Sequence, residues 1–172
     1  MKLYRFSPIN TETALLEAIQ HVHVSGHKLS YNSFGKYLDK SGNIGIFCHY
    51  EDEYEFLTKL RKQLTDEAMN FNNKYFKLKQ PITIPQIDDI PGATYEYLYI
   101  RQPDPYRYQV GDIDLCVDRL EYKQLKQLVM NGDTKSARTY EGKSDLDMIE
   151  LFDADMDVLA YVVDHKMSEV VS

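Results

Sequence analysis

Gly42-Asn43-Ile44-Gly45-Ile46-Phe47-Cys48 and Gly111-Asp112-Ile113-Asp114-Leu115-Cys116-Val117 are the two stretches whose reading decides the fold. Each opens on a glycine and runs into a short apolar strand. Each is followed by apolar residues at helical spacing: Tyr54, Leu57 and Leu60 after the first, and Tyr122, Leu125 and Leu128 after the second. A strand–helix unit that recurs predicts a chain made of two similar halves, about residues 42–84 and 111–164, behind a strand–helix extension over residues 1–41. The copies differ where chemistry is carried: the second has Asp112 and Asp114 where the first has Asn43 and Gly45.

Outward from these units, Lys2 to Phe6 alternates as a short strand that Pro8 stops. A helix capped by Asn10 or Thr11 places Leu15, Ile19 and Val22 on one face, and Gly26 is its expected end. The polar segment from Lys28 to Gly42 reads as irregular or a short helix. Tyr75 to Ile84 reads as a strand that Pro81 confines to a sheet edge or breaks. The proline-bearing, apolar stretch from Gln80 to Gly92 connects the halves. Thr94 to Arg101 is the clearest strand, and about Tyr108 to Val117 is expected to pair antiparallel with it across the Gln102–Tyr106 turn. A helix from Arg119 to Met130 stops at Asn131-Gly132. Strands from about Leu146 to Phe152 and Val158 to Val163 flank an acidic turn. Helices mixed with hairpins predict a single α+β domain over residues 1–172. Its sheet should be mixed or mostly antiparallel, and ferredoxin-like or built of paired βαβββ modules.

The chain has 172 residues, 43% of them apolar, which is enough for a core. No apolar run is long enough for a transmembrane helix, and the N-terminus lacks a signal-peptide core, so a cytoplasmic protein with no membrane partner is expected. Cys48 and Cys116 lack a CxxC partner and read as buried, reduced side chains. The net charge of −7 disfavours nucleic acid as a partner. Fourteen tyrosines and no tryptophan fit half-wet sheet faces and binding surfaces.

Four constellations could carry chemistry. In the first, strand alternation puts Tyr95, Tyr97, Tyr99 and Arg101 on one face, with Tyr106 and Arg107 in the turn that follows. Tyrosine and arginine are favoured anchors, so this face is the expected site for a protein partner or a small polar ligand, without catalysis or cofactor. In the second, Asp112 and Asp114 share a strand face, where two carboxylates can hold Mg²⁺ or Mn²⁺ for phosphoryl transfer, with Glu150 as a third. The third is the histidine group His21, His23, His27 and His49; a metal role for it stays open, as does a Cys48–His21 or Cys48–His23 dyad. The fourth, Asp153-Ala154-Asp155-Met156-Asp157, reads as an acidic turn, because Val158 stands where a calcium loop needs glycine.

Two family resemblances attach to these residues. The Gly111-Asp112-Ile113-Asp114-Leu115 segment resembles the metal-binding strand of polymerase-β-type nucleotidyltransferases, which implies a metal-dependent transferase using Asp112 and Asp114. The glycine–serine turn of that family is absent; Gly92-Ala93-Thr94 stands in its place. The closing hairpin, Met148 to Asp155, resembles that of the vicinal oxygen chelate superfamily. That likeness implies paired βαβββ modules and carries no site residues, since Ala160 stands where the metal-binding glutamate belongs.

Overall fold

The computed structural model describes residues 4–67, 75–141 and 147–170. In chain order these form α1 (Glu12–Phe34), β1 (Asp39–Phe47), α2 (Glu51–Leu64), β2 (Phe76–Ile84), β3 (Ala93–Arg101), β4 (Gly111–Cys116), α3 (Arg119–Met130), β5 (Ala137–Glu141), β6 (Asp147–Leu151), β7 (Val158–Val163) and α4 (Met167–Val170). The strands make one mixed seven-stranded sheet in the order β2-β3-β1-β4-β7-β6-β5. The α+β expectation therefore holds, and Pro81 lies in an edge strand.

The two diagnostic strands, β1 and β4, are antiparallel neighbours at the middle of the sheet, with Ile44 opposite Ile113 and Gly45 opposite Asp112. Outside them β1 runs parallel to β3, and β4 runs parallel to β7. The expected antiparallel pairing of β3 with β4 is thus corrected, because β1 is inserted between them. The turn after β3 carries the chain past one intervening strand instead of into a hairpin.

Alternation sorts the central strands into two faces. Ile44, Ile46, Leu98, Ile100, Ile113, Leu115, Ala160 and Val162 are buried in one cluster with Leu15, Ile19, Val22 and Leu29 of α1. Here α1 departs from its expected length: it passes through Gly26 and ends at Gly35, whose φ of 70° and bond from its N–H to the Tyr31 carbonyl form a left-handed cap. Gly26 serves packing. A Cβ there would lie 2.4 Å from Ile113 Cδ1, so only glycine lets the helix sit this close to β4.

Of the strand expected over Lys2 to Phe6, Lys2 and Leu3 lie outside the described residues, and from Tyr4 on the segment before α1 is a strap and not a strand. Ile9 N–H donates to Glu53 Oε1 at 2.9 Å, and Glu53 Oε2 accepts from the His49 N–H at 2.7 Å. Ser7 Oγ lies 2.6 Å from His49 Nδ1, and the Tyr4 ring stacks on His49 at 3.9 Å. Glu53 is 2% exposed, and the backbone donors gathered on its carboxylate explain why a charge can be buried there. Arg5 and His21 both bond Asp157. Burial alone would raise that carboxyl, but the bonds from His21 and Arg5 outweigh it and hold it at about 2. The acidic turn is therefore an anchor for the strap, and its Asp153 side chain accepts from the Asp155 N–H.

Two histidines of α1 lie in the core. His23 Nδ1 is 2.8 Å from the Tyr95 hydroxyl, and the His27 ring packs edge-on against His23 at 4.7 Å. Burial, reinforced by the neighbouring His23, pushes His27 down to about 4. An unfolded chain takes this proton near pH 6.5, whereas the folded chain holds it off until about pH 4. Folding stability is thus expected to fall as the pH drops from 6.5 towards 4. Urea unfolding at pH 7, 6 and 5 checks this: the midpoint should decline, and the decline should be shallower in His27→Asn. Equal slopes in both proteins would show that His27 does not carry it.

Candidate functional site

On the sheet face opposite α1, the strand order turns sequence-distant residues into neighbours. Tyr99 of β3 pairs across to Gly45 of β1, which pairs to Asp112 of β4, which pairs to Leu159 of β7. One step along, the Asn43 side-chain amide donates to Asp114 Oδ2 at 2.8 Å, and Asp114 is opposite Tyr161. At the other end Arg101 pairs with Phe47, and its guanidinium lies 4.8 Å from that ring. Of these, Tyr99, Asp112, Asn43, Asp114, Tyr161, Arg101 and Phe47 line a cavity of about 220 Å³, closed further by Tyr75, Arg107, Tyr140 and Met148.

Gly45 is the structural reason that the carboxylate and the ring meet. A Cβ at this position would lie 2.0 Å from Asp112 Oδ1 and 3.4 Å from Tyr99 Cδ1. The missing side chain is the space into which Asp112 leans over β1. Gly111 repeats the device on the helix side, where a Cβ would meet the Gly45 carbonyl at 2.1 Å and Val22 Cγ2 at 3.0 Å.

The cationic end is organised by Asp104. Its Oδ1 accepts from the Tyr106 N–H at 3.0 Å, closing an Asx-type turn. Its Oδ2 stands 3.5 Å from Arg101 Nη2 and 3.6 Å from Arg107 Nε. One carboxylate thus aims two guanidiniums while neutralising only part of their charge. The tyrosines answer to the other end. Burial first, then Asp114 and Asp112, raises Tyr75; burial first, then Asp112 and Glu150, raises Tyr161. Burial also raises Tyr99, with Arg101 opposing and Asp112 assisting. All three hydroxyls stay protonated at neutral pH.

The structure redistributes the residues expected from sequence. Tyr99, Arg101 and Arg107 line the cavity together with Asp112 and Asp114, so residues expected in two separate sites share one. Tyr95 does not join them. It is fully buried with its hydroxyl on His23 of α1, in the same cluster as Leu98 and Ile100, so strict alternation fails in β3 between Tyr95 and Leu98, beside the register shift of β2 against β3. Tyr97 is 6% exposed and outside the lining, and Tyr106 is 95% exposed on the turn, pointing into solvent. Glu150 is 2% exposed and bonds Arg138 Nε through Oε2 at 2.6 Å, so its carboxylate neutralises that guanidinium and lies outside the cavity lining. Among the described residues no three His, Cys, Asp or Glu side chains are placed to hold a metal ion. His21 goes to Asp157, His23 to Tyr95 and His49 to Ser7, so that of the histidine group only His23 and His27 stay in contact, and neither His21 nor His23 forms a dyad with Cys48. Burial also pushes the Cys48 thiol well up, away from the thiolate. Sequence reasoning missed Asn43, Tyr75, Tyr140 and Tyr161. Asn43 and Tyr161 could have been found by pairing them with Asp114 once the strand order was known.

No family model matches the chain, and no curated protein matches it. One solved structure, described as "Structural Genomics, Protein EC4020", superposes with a TM-score of 0.61 at 14% identity, over 99% of this chain and 97% of that one. That likeness concerns the fold, so the site is tested by substitution. Gly45→Ala should destabilise by about 1–3 kcal/mol through overpacking. Adding Asp112→Ala should relieve much of that cost, giving a non-additive cycle in urea unfolding. Additive effects would mean that Asp112 does not lie over Gly45.

Proposed function

We propose that this protein is a recognition domain that binds a small polar ligand, or a single polar group of a protein partner, in the cavity on the sheet face. The supporting observation is the convergence of Arg101, Arg107, Asp112 and Asp114 with Tyr75, Tyr99 and Tyr161 around one cavity. Concave sites with a few oriented polar groups among aromatic walls are where small molecules bind. The volume of about 220 Å³ is below that of pockets for drug-sized ligands, roughly 300–1,000 Å³, which limits the occupant to metabolite size.

The chain architecture supports a duplication behind the site. If the first half is extended past its expected end at residue 84 to take in β3, the segments β1-α2-β2-β3 and β4-α3-β5-β6-β7 each pair their first strand in parallel with their last. In this reading the two copies meet back to back at β1 and β4, as paired modules, and Asn43 and Gly45 face Asp114 and Asp112 across the junction. One copy supplies the acids and the other supplies the room for them.

A second reading has one observation in its favour. Asp112 and Asp114 share a face and line a cavity, as the strand of a Mg²⁺- or Mn²⁺-dependent transferase requires. It wants a third carboxylate, and Glu150 is engaged with Arg138. A thermal-shift panel of polar metabolites and nucleotides, with and without Mn²⁺, separates the two. A ligand at 100 times its Kd adds about 2.7 kcal/mol. The expected result is a metal-independent shift that is lost in Arg101→Met and in Asp112→Asn. A shift that needs both Mn²⁺ and a nucleotide, lost in Asp112→Asn/Asp114→Asn, would replace this reading with the transferase.

A further inference from the structure

Elsewhere in this chain arginines pair closely with a carboxylate: Arg138 Nε lies 2.6 Å from Glu150 Oε2, and Arg5 Nε lies 2.7 Å from Asp157 Oδ2. The two arginines of the cavity are held differently. Arg101 Nη2 and Arg107 Nε stand 3.5 and 3.6 Å from a single oxygen, Asp104 Oδ2. Both separations exceed the roughly 2.7–3.2 Å of an N–H hydrogen bond to oxygen. Sharing that oxygen makes the two guanidiniums converge. Both arginines line the cavity and Asp104 does not, so the carboxylate that gathers them takes none of its space.

Local structure fixes both forks. The Arg101 guanidinium lies over the Phe47 ring, 4.8 Å from its centroid. Stacking of this kind uses the face of the guanidinium, while its N–H bonds lie in the plane and point out from the edges. Arg107 belongs to the turn that Asp104 closes, its backbone N–H donating to the Asp104 carbonyl at 3.2 Å. Planar guanidiniums match the two oxygens of a carboxylate. Charge narrows the choice of anion. Two guanidiniums against one carboxylate leave a single unit of positive charge in this group of three. A carboxylate balances it, whereas a phosphate monoester, at about −1.5 to −2 near pH 7, overshoots it. The lining also has an apolar part: Tyr140 and Tyr161 pack edge-on with ring centroids 6.0 Å apart, and Phe47 and Met148 join them around the cavity.

We propose that the ligand is a small monocarboxylate, its carboxylate bridging Arg101 and Arg107 and its apolar body lying against the Phe47, Tyr140 and Tyr161 rings. This rests on the recognition reading above and adds the ligand's anionic group to it. Asp104 gains a second role in the same stroke. Beyond ordering the turn, it selects for a single negative charge by cancelling one of the two positive ones. The C-terminal carboxylate of a peptide has the same chemistry as a free acid, so the test carries an arm for each source.

The test is calorimetric titration of the full chain with phenylacetate, with phenylacetamide as its uncharged isostere and phenyl phosphate as the dianion. Phenylacetate should bind at least tenfold more tightly than phenylacetamide, a gap of about 1.4 kcal/mol or more, and Arg107→Met should abolish the difference. Asp104→Asn keeps an oxygen for the Tyr106 N–H and removes the negative charge. It should raise the affinity for phenyl phosphate several-fold more than that for phenylacetate. In wild-type protein, acetate should move the side-chain Nε–H resonances of Arg101 and Arg107 and leave that of exposed Arg119 in place, a readout independent of whether a variant folds. Phenylacetamide or phenyl phosphate binding as well as phenylacetate would overturn the proposal and leave recognition standing. No heat with phenylacetate and no movement of the two arginine resonances with acetate would also overturn it, and the metabolite panel above would then decide recognition by itself. An acetylated tetrapeptide with a free C-terminus, compared with its amide, separates the sources: carboxylate-dependent binding of the peptide tenfold tighter than phenylacetate would overturn the small-molecule form.

Discussion

Everything at the site depends on how closely β1 and β4 approach over Gly45 and Gly111. With no side chain at either position, the backbone of one strand lies against the other and the carboxylate of Asp112 folds over the first. On the helix face the same closeness admits Val22, and one turn further along α1 Gly26 seats the helix on Ile113. The central pair is therefore packed from both sides at once. A methyl group at these glycines would displace a charge, a carbonyl or a helix.

From that pair the strand order follows outward and determines which side chains meet. Placing β3 beside β1, and β7 beside β4, brings Arg101 at the end of β3, with Arg107 of the segment that follows, to one side of the junction and Tyr161 to the other. The helices gather on the opposite face, where the apolar half of each strand is buried. The polar half is left to form the cavity, with Asp104 holding the turn that closes one end. Charged side chains are placed by topology here, according to which strand arrives at each end.

Much of this was legible in the chain. The repeat of glycine, apolar strand and helical stripe located β1, α2, β4 and α3, because period-two and period-3.6 patterns are local properties. Arg101, Arg107, Asp112 and Asp114 stood out as residues whose chemistry needs company. What could not be read was non-local. Gly26 looks like a helix stop until Ile113 is placed against it. Tyr95 belongs with Tyr99 by alternation, yet the alternation fails between Tyr95 and Leu98 and Tyr95 meets His23 instead. β5 was missed because Ala137 to Glu141 is short and half-polar, and it becomes a strand only by pairing with β6. Leu146, where the sequence places the start of the β6 strand, and residues 171–172 of the tail lie outside the described residues. That the two candidate sites are one site follows from strand order alone, which no single stretch of sequence contains.

The most direct measurement is a carbon-edited nuclear Overhauser spectrum of the labelled protein, read at two tyrosines. The account predicts cross-peaks from the Tyr99 ring to the Gly45 α-protons and the Asp112 β-protons, and from the Tyr95 ring to the His23 ring, with none between Tyr95 and Asp112. A Tyr95 ring in contact with Gly45 or Asp112, or a Tyr99 ring without such contacts, would contradict the strand order and dissolve the site with it.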